Sequence, residues 1–340
     1  MPPSLLSDKV LGCLLAGEIG DAMGAPAENK TYQEIIASYG EITDFSGSGT
    51  DDSALKHILC DAIERAQGYP TADAWAEAWM DQEQMFQKGM FWFPVMNSFW
   101  RVSAEGIAPR QAGSGNMSSS SSAMCISPLG IINAGNPRQA ALETYEVAGL
   151  IHHNFSRDGA CSMAAAVAEA FSPGASVESV LKAAVEYLPP RSARVMRGFI
   201  ETTLSLGRST GAYAAFRERY YAEHILPGIA MPDARETVPV ALSLFYLADG
   251  DPRQTILYRA NFGRDADTIA SMAGALAGAL HGASALPVEW VEKMLASGRR
   301  DQAALTSLLV DIIHQRAAGL ARVAAAIQTL EQTDSQVKNG

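Results

Sequence analysis

The amino-acid sequence predicts an all-α protein. Apolar residues recur at intervals of three and four along many stretches of the chain, which is the periodicity of an amphipathic helix. Alanine, the residue with the highest helix propensity, is abundant throughout. The repeated alternation of β-branched and polar residues that marks strands is scarce. We therefore expect one compact multi-helix domain with almost no sheet.

The individual helices follow from the position of the apolar residues and of the breaks between them. Groups of proline and glycine at 68–70, 172–174, 189–190, 226–228 and 249–252 mark the joints. Periodicity predicts helices over 10–16, 53–66, 72–86, 137–151, 160–171, 177–188, 192–206, 212–224, 237–247, 251–260 and 268–281, and two more within 302–330.

Composition bounds the domain organisation. Of the 340 residues, 48% are hydrophobic and 19% are charged, which is ample for a folded core. No stretch rich in proline, serine and glycine resembles a linker, so we predict one domain over 1–340. The run from Ser118 to Ser122 is interpreted as a flexible loop within that domain. None of the four cysteines forms a CxxC pair, and buried free thiols are expected.

The net charge of -11 argues against a nucleic-acid partner held by bulk electrostatics, because an acidic surface repels phosphate. It does not exclude a small anionic ligand next to a bound cation. Near the amino terminus, Asp8, Lys9 and Glu18 interrupt an apolar run that is too short for a membrane span and lacks the layout of a signal peptide. We expect a cytoplasmic protein without a membrane segment.

Two acidic clusters, each just before a predicted helix, interrupt the apolar pattern. Acids and hydroxyls at a helix start are ordinary N-caps, and for either cluster alone capping is the simpler interpretation. Two adjacent carboxylates repel each other, however, and a cap needs only one of them. Carboxylate and hydroxyl oxygens are the ligands of Mg²⁺, Mn²⁺ or Ca²⁺. The clusters consist of Thr50, Asp51 and Asp52, and of Asp265, Asp267 and Thr268.

A third polar cluster, GEIGDAMGAPAE from Gly17 to Glu28, is interpreted by itself as a glycine-rich helix end and turn. Together, the three clusters resemble the ADP-ribosylglycohydrolase family, which includes dinitrogenase reductase-activating glycohydrolase and the ADP-ribosyl-acceptor hydrolases. The resemblance covers GCLLAGEIGDAMGAPAE, GTDDSAL, GRDADTIASMAGALAGALHG and ALPVEWVEKM, to about residue 295. The segment GNMSSSSSAMCISPLGIINAGNP is similar to the family's central loop.

This resemblance implies an all-α fold that binds two divalent cations, Mg²⁺ or Mn²⁺, and acts on ADP-ribose attached to an acceptor. Matched by motif, the metal ligands are Thr50, Asp51, Asp52, Asp265, Asp267 and Thr268. Glu28 matches a glutamate near the substrate ribose, and His153 matches a histidine that precedes a central helix. Substrate contacts are expected from Asp21, Gly115, Asn116, Ser118, Ser119, Ser120, Met124, Cys125 and His153.

The expected reaction is hydrolysis at the anomeric carbon of a ribose. Two metal ions would orient the ribose and a water molecule, and a carboxylate would transfer a proton. Glu28 is the first candidate for that carboxylate, with Asp52 or Asp267 as the second. The chain departs from the family pattern at Cys125, where many members have an arginine, and in the longer serine loop. The leaving group, the preferred metal and the oligomeric state therefore stay open.

Three alternatives remain at this point. The site can act on a small nucleoside or nucleotide as an N-ribosidase. The chain can be a catalytically silent relative that binds ADP-ribose or has a structural role. Finally, the acids can serve only as helix caps, in which case chelation of metal would leave stability unchanged.

Overall fold

The computed structural model describes residues 4–337, with side chains up to residue 331. In this range the chain forms helix after helix, and the all-α prediction is confirmed. The α-helices are α1 (Leu5–Gly24), α2 (Tyr32–Tyr39), α3 (Asp51–Arg65), α4 (Ala72–Asp81), α5 (Glu83–Gln87), α6 (Phe93–Ser103), α7 (Pro109–Ala112), α8 (Ser127–Ile132), α9 (Pro137–Val147), α10 (Phe155–Ala170), α11 (Val177–Glu186), α12 (Arg194–Thr210), α13 (Tyr213–Glu223), α14 (Ala234–Leu247), α15 (Pro252–Ala260), α16 (Ala266–His281), α17 (Val288–Ser297) and α18 (Gln302–Val337).

Several predicted boundaries are wrong. The stretch predicted as one helix over 72–86 breaks at Gln82 into α4 and α5. The two helices predicted within 302–330 are one helix, α18, of 36 residues. Five helices, α2, α6, α7, α8 and α17, fall where periodicity predicted none. Most of them are short or begin with proline at the first or second position, so few turns are available to show a period.

The centre of the fold is the pair α1 and α16, which lie against each other along their length. Glycines line the contact on both helices. A Cβ added at Gly20 would overlap the backbone of Ala270, and one added at Gly278 would overlap the backbone of Gly12. The GEIGDAMG segment forms the buried carboxyl-terminal turns of α1, and the helix end that the sequence suggested is confirmed at Gly24. The sequence did not show that its glycines form a contact between two helices. Only residues without a side chain allow two helix backbones to approach this closely.

The other helices surround this pair. One hydrophobic cluster includes buried residues from Val10 in α1 to Ile312 in α18, and a second lies between α1, α15 and α17. The four cysteines are free and buried, as predicted. Within the described range, none of the helices has both the length and the hydropathy that crossing a bilayer requires. The described strands are one antiparallel pair of two residues each, β1 (Lys30–Thr31) and β2 (Gly263–Arg264).

Candidate metal and substrate site

Three helix ends meet at one place. The carboxyl end of α1 lies against the amino end of α16, where a Cβ on Gly24 would overlap the Cα of Asp267. The amino end of α3 joins them through Asp21, a residue of α1. Each of these ends carries acidic side chains, so the close packing of α1 on α16 brings together carboxylates that are more than 200 positions apart in sequence.

Asp21 holds the amino end of α3. Its carboxylate accepts hydrogen bonds from the backbone N–H of Thr50 (2.9 Å) and of Ser53 (3.0 Å). It also accepts from the hydroxyls of Thr50 (2.8 Å) and Ser53 (2.5 Å). Asp21 is fully buried and does not line the open cavity, contrary to its expected contact with substrate. The backbone N–H of Ser53 is already bonded, so it is not a free donor for a phosphate.

Four further aspartates surround the position where the three helix ends meet. Asp52, Asp265 and Asp267 are almost fully buried, and Asp51 is partly buried. Burial and the neighbouring carboxylates raise the pKa of Asp52 and Asp267 well above its ordinary value. Burial is also the main cause that raises the pKa of Asp265 to about 7 and of Asp51 to about 6. So many buried carboxylates without a cation among them stay ionised only with difficulty.

Two groups of these acids are spaced closely enough to hold metal ions. Asp21, Asp52 and Asp267 each place an oxygen within 4.8 Å of the others, and so do Glu28, Asp265 and Asp267. Asp267 belongs to both groups. The Oδ1 atoms of Asp52 and Asp267 are buried and have no hydrogen-bond partner. Buried polar atoms are almost always paired in native proteins, so these two oxygens fit a cation that neutralises them.

The hydroxyl-bearing ligands of the prediction lie beside these groups. The Thr268 hydroxyl donates to Oδ2 of Asp52 at 3.3 Å, which links the ends of α16 and α3. Thr50 stands at the start of α3, and its hydroxyl donates to Asp21. The structure therefore brings all six sequence-predicted metal ligands together around the meeting point of the three helices.

Glu28 reaches this site from an exposed loop between α1 and β1. The loop is held by the β1–β2 pair, in which Lys30 lies opposite Arg264, and by a hydrogen bond from the N–H of Asn29 to the carbonyl of Arg264 (2.8 Å). Asn29 and Arg264 both have a positive φ, 60° and 64°. Such conformations are uncommon outside glycine and cluster at functional sites. The buried Glu236 fixes Arg264 with two hydrogen bonds, at 2.6 and 3.0 Å.

An open cavity of about 330 Å³ lies above the carboxylates. Besides the acids and Thr268, Met90, Phe91 and Trp92 line it, from the segment between α5 and α6. The lining residues are Glu28, Asn29, Asp51, Asp52, Gly89, Met90, Phe91, Trp92, Ser120, Ser121, Met124, Pro232, Asp265, Asp267 and Thr268.

The serine run is not the flexible solvated loop that the sequence suggested. Residues 119–122 are buried, with exposures of 0 or 1%. Ser120 donates to Oδ2 of Asp265 (3.1 Å), and Ser118 donates to Asp233 (2.5 Å). Below them, His152 contacts the hydroxyls of Ser119 (3.2 Å) and Ser122 (2.8 Å). Small hydroxyl side chains pair with one another and with the histidine here, which allows a polar segment to be buried.

Only part of the expected substrate-contact set lines the cavity. Ser120 and Met124 do, whereas Gly115, Asn116, Ser118, Ser119, Cys125 and His153 do not. The amide of Asn116 is buried and donates to Pro94, Ser98 and Ile151, so it fastens the loop. Cys125 is fully buried, and its thiol donates to the carbonyl of Ser121.

His153 is exposed and lines a different cavity, together with Tyr145, Arg157 and Asp158. The buried histidine before α10 is its neighbour, His152. The sequence did not show which of the two adjacent histidines is buried against the serine run.

Other cavity residues were missed or interpreted as packing. Asn29, Met90, Ser121 and Pro232 were not assigned to the site. Trp92 was interpreted mainly as a packing residue, but it is 45% exposed at the cavity. One signal was available, since Met90, Phe91, Trp92 and Phe93 form an apolar run between two short helices, where no periodicity explains it.

Comparison with known proteins agrees with this arrangement. The model of the family described as ADP-ribosylglycohydrolase matches residues 1–324. The chain is 26% identical to the ADP-ribosylarginine hydrolase Tri1 of Pseudomonas putida, over 86% of this chain and 76% of that protein. It is 22% identical to the ADP-ribosyl-dinitrogen reductase glycohydrolase of Rhodospirillum rubrum, over 84% of this chain and 90% of that protein.

A solved structure titled as an ADP-ribosylglycohydrolase-related protein complex has the same fold, with a TM-score of 0.67 and 20% identity. The superposition covers 91% of this chain and 99% of that one. Because the family model spans nearly the whole chain and the carboxylates of its paired motifs meet in one cavity, the resemblance seen in the sequence is confirmed. The chain belongs to the ADP-ribosylglycohydrolase family and is a hydrolase of the glycosidase type.

Proposed function

We propose that this enzyme uses two divalent cations, Mg²⁺ or Mn²⁺, to hydrolyse the bond between the anomeric carbon of an ADP-ribosyl group and its acceptor. The observation that carries this proposal is the pair of overlapping carboxylate groups that share Asp267. A shared ligand between two groups is the arrangement expected of a two-metal site.

The residues that would hold the ions divide between the two groups. Asp52 belongs with Asp21 to one, Asp265 with Glu28 to the other, and Asp267 to both. Thr50 stands next to the first group, at the start of α3. Asp51 and Thr268 lie beside the two groups at the cavity. Glu28, as the exposed member of the second group, is proposed below to transfer a proton. When bound, the cations supply positive charge that holds ribose hydroxyls and makes a water molecule more acidic.

The remaining chemistry belongs to the protein's own side chains. Cleavage at an anomeric carbon develops positive charge on the sugar, and the carboxylates beside the cavity stabilise it. Glu28 is the exposed carboxylate of the set, and its Oε1 is held by the Asn29 amide at 3.0 Å. We propose that Glu28 accepts a proton from the attacking water, which its position on the open side of the cavity allows.

The leaving group would lie against the wall formed by Met90, Phe91 and Trp92. Trp92 is half exposed and lines the same cavity as several carboxylates. A planar cation is attracted by both, through the ring face and through the acidic charge. An arginine conjugate is therefore our first substrate, in keeping with the name of the Pseudomonas putida relative.

A second candidate follows from the cavity volume. At about 330 Å³ it is near the lower end of the roughly 300–1,000 Å³ typical of ligand sites. That volume suits a ribose with a small base, so hydrolysis of a free nucleoside is the alternative. A nucleoside would need no contact beyond the cavity, whereas the larger ADP-ribose must extend across the mouth of the cavity.

The test is release of ADP-ribose or ribose from ADP-ribosyl-arginine, ADP-ribosyl-serine and free nucleosides, each with Mg²⁺, with Mn²⁺ and with chelator. We expect metal-dependent release from the arginine conjugate that disappears in Asp267→Ala. Asp158→Asn is the matched control, since this carboxylate lines the other cavity, and it should keep full activity. Release from nucleosides alone would transfer the proposal to the second candidate. Binding of ADP-ribose without any turnover would indicate a silent relative.

The assigned role of Glu28 has its own test. Glu28→Gln keeps the shape of the side chain and removes its ability to accept a proton, so kcat should fall on the order of 100-fold or more. Metal binding, measured by calorimetry with Mn²⁺, reports whether the site is intact. Full activity in Glu28→Gln with unchanged metal affinity would assign proton transfer to an aspartate instead.

A further inference from the structure

The last helix of the chain extends beyond the domain. The first part of α18 packs in the core through Leu305, Leu309 and Ile312. Arg316 is its last anchor, with hydrogen bonds to Asn133 (2.6 Å) and Glu143 (2.7 Å). From residue 320 to residue 331 every side chain is exposed. At 1.5 Å per residue, this exposed segment is about 18 Å long.

One face of the exposed segment is apolar. Leu320, Val323, Ile327 and Leu330 are 64, 58, 53 and 71% exposed, and we term them the α18 stripe. Their spacing of three, four and three residues places them on a single side of the helix. The same spacing continues back through Arg316, Ile313 and Leu309, so the stripe prolongs the line of residues by which α18 packs on the domain.

The α18 stripe runs across the end of the family match. The family model ends at residue 324, before Ile327 and Leu330. The superposed neighbour is matched over 99% of its length by 91% of this chain. Two of the four stripe residues thus lie within the family match and two beyond it. Together they mark an interaction surface, because exposed apolar residues that form a contiguous stripe are uncommon on a monomer.

We propose that the α18 stripe pairs with the same stripe of a second copy of this chain, in a two-helix coiled coil. The spacing is that of the a and d positions of a heptad, which fits a partner helix with the same repeat. A two-fold dimer satisfies this requirement with one surface that is complementary to itself. Ala324 and Ala326 flank the stripe, and their small side chains let two helices approach closely.

Charge favours a second copy over a membrane surface. The chain has a net charge of -11, but Arg322 is the single charged residue between positions 317 and 330. Two copies therefore meet through a segment that does not add to their repulsion. Helices that lie on membranes carry many basic residues on the polar face, and this segment has one.

The size of the stripe sets the expected affinity. Four apolar layers bury an area close to the minimum for a specific interface, which is about 1,000 Å². We therefore expect a dimer that forms at tens of micromolar and dissociates on dilution.

The experiment is analytical ultracentrifugation of the whole chain from low to high micromolar concentration. The average mass should rise from one copy toward two. In the double variant Leu320→Glu with Ile327→Glu it should stay at one copy, with at least a tenfold weaker association. The matched control, Ala318→Glu with Ala325→Glu, adds the same charge on the opposite face and should dimerise like the wild type. Circular dichroism and thermal unfolding verify that the variants are folded, as expected for exposed positions.

Three outcomes would overturn the proposal. The wild type can remain a monomer at every concentration, the stripe variant can dimerise as well as the wild type, or the control can lose the dimer equally. Sedimentation with vesicles of anionic phospholipid separates the membrane alternative. Binding to vesicles that depends on Leu320 and Ile327, by a protein that stays monomeric in solution, would also contradict pairing between copies.

Discussion

Two kinds of helix start in this protein use the same residue types for different purposes. At α4 the Thr71 side chain accepts a hydrogen bond from the N–H of Ala74, and at α15 Asp251 accepts from the N–H of Gln254. At α3 and α16 the residues in the same position, Thr50 and Asp265, make no such bond with their own helix.

The two kinds of helix start differ in which residue caps the helix. The amino end of α3 is capped by Asp21, which belongs to α1. This leaves Asp51 and Asp52 facing the cavity. At α3 the acids are therefore not needed as caps and are available for another use. The idea that the acids serve only as caps does not agree with this geometry.

The largest expected effect comes from substituting an acid at the start of α3, and an acid at the start of α15 serves for comparison. Asp52→Asn removes a charge from the site and should lower kcat/KM for the ADP-ribosyl substrate on the order of 10³-fold, the scale of losing a principal electrostatic contributor. Asp251→Asn should leave activity unchanged, because asparagine caps a helix as well as aspartate does. Steady-state kinetics measures both. Equal effects of the two substitutions would remove the distinction between the two kinds of helix start.

The next largest effect is the pH dependence of the stability of the metal-free protein. The pKa of Asp265 is raised from 3.8 to about 7, and that of Asp51 to about 6, mainly by burial. Between about pH 4 and pH 7 the folded state then binds protons that the unfolded state has released, so these groups make the free energy of unfolding fall as pH rises. At about 1.4 kcal/mol per pKa unit, the expected loss is several kcal/mol.

Urea unfolding in chelator across this pH range tests the expectation. The double variant Asp51→Asn with Asp265→Asn should lose less stability over the window than the wild type does. If both proteins followed the same pH curve, the two acids would titrate as they do in the unfolded chain.

Metal binding should offset the loss of stability that ionisation of these carboxylates causes. A cation that binds only the folded protein raises the free energy of unfolding by about 2.7 kcal/mol at a hundredfold excess over its Kd. We expect Mn²⁺ or Mg²⁺ to raise the Tm of the wild type and of Asp251→Asn but not of Asp267→Ala. A Tm that did not respond to metal in the wild type would argue for helix ends without a metal site.

The smallest effect concerns the glycines that bring the helix ends together. Gly20→Ala places a methyl group against the backbone of Ala270 and should cost about 1–3 kcal/mol, the scale of overpacking. Gly198→Ala, in α12, meets nothing within 4 Å and should stabilise the protein by about 0.5–1 kcal/mol. Thermal unfolding compares them. A neutral Gly20→Ala would mean that α1 and α16 can separate without cost, and the carboxylates would not depend on their contact.

The order of most helices and the acids that meet at the cavity could be predicted from the sequence. Apolar periodicity is a local property, and the acids stand out because two carboxylates are more than a cap requires. The helices α5, α7 and α8 were less accessible, because fewer than two turns give little periodicity. The longer α6 has a proline in its first turn, which obscures where it begins.

The sequence by itself determined an α-helical chain, the family, and which acids meet at the cavity. Only the tertiary structure decided what those residues do. It turned the glycines of α1 into the contact with α16, made Asp21 a cap for another helix, and buried the serines above His152 while leaving His153 outside. The α18 stripe has the same pattern as a core helix and yet lies in solvent. Spacing along a helix defines a face, but what covers that face depends on neighbours distant in sequence, which no local pattern contains.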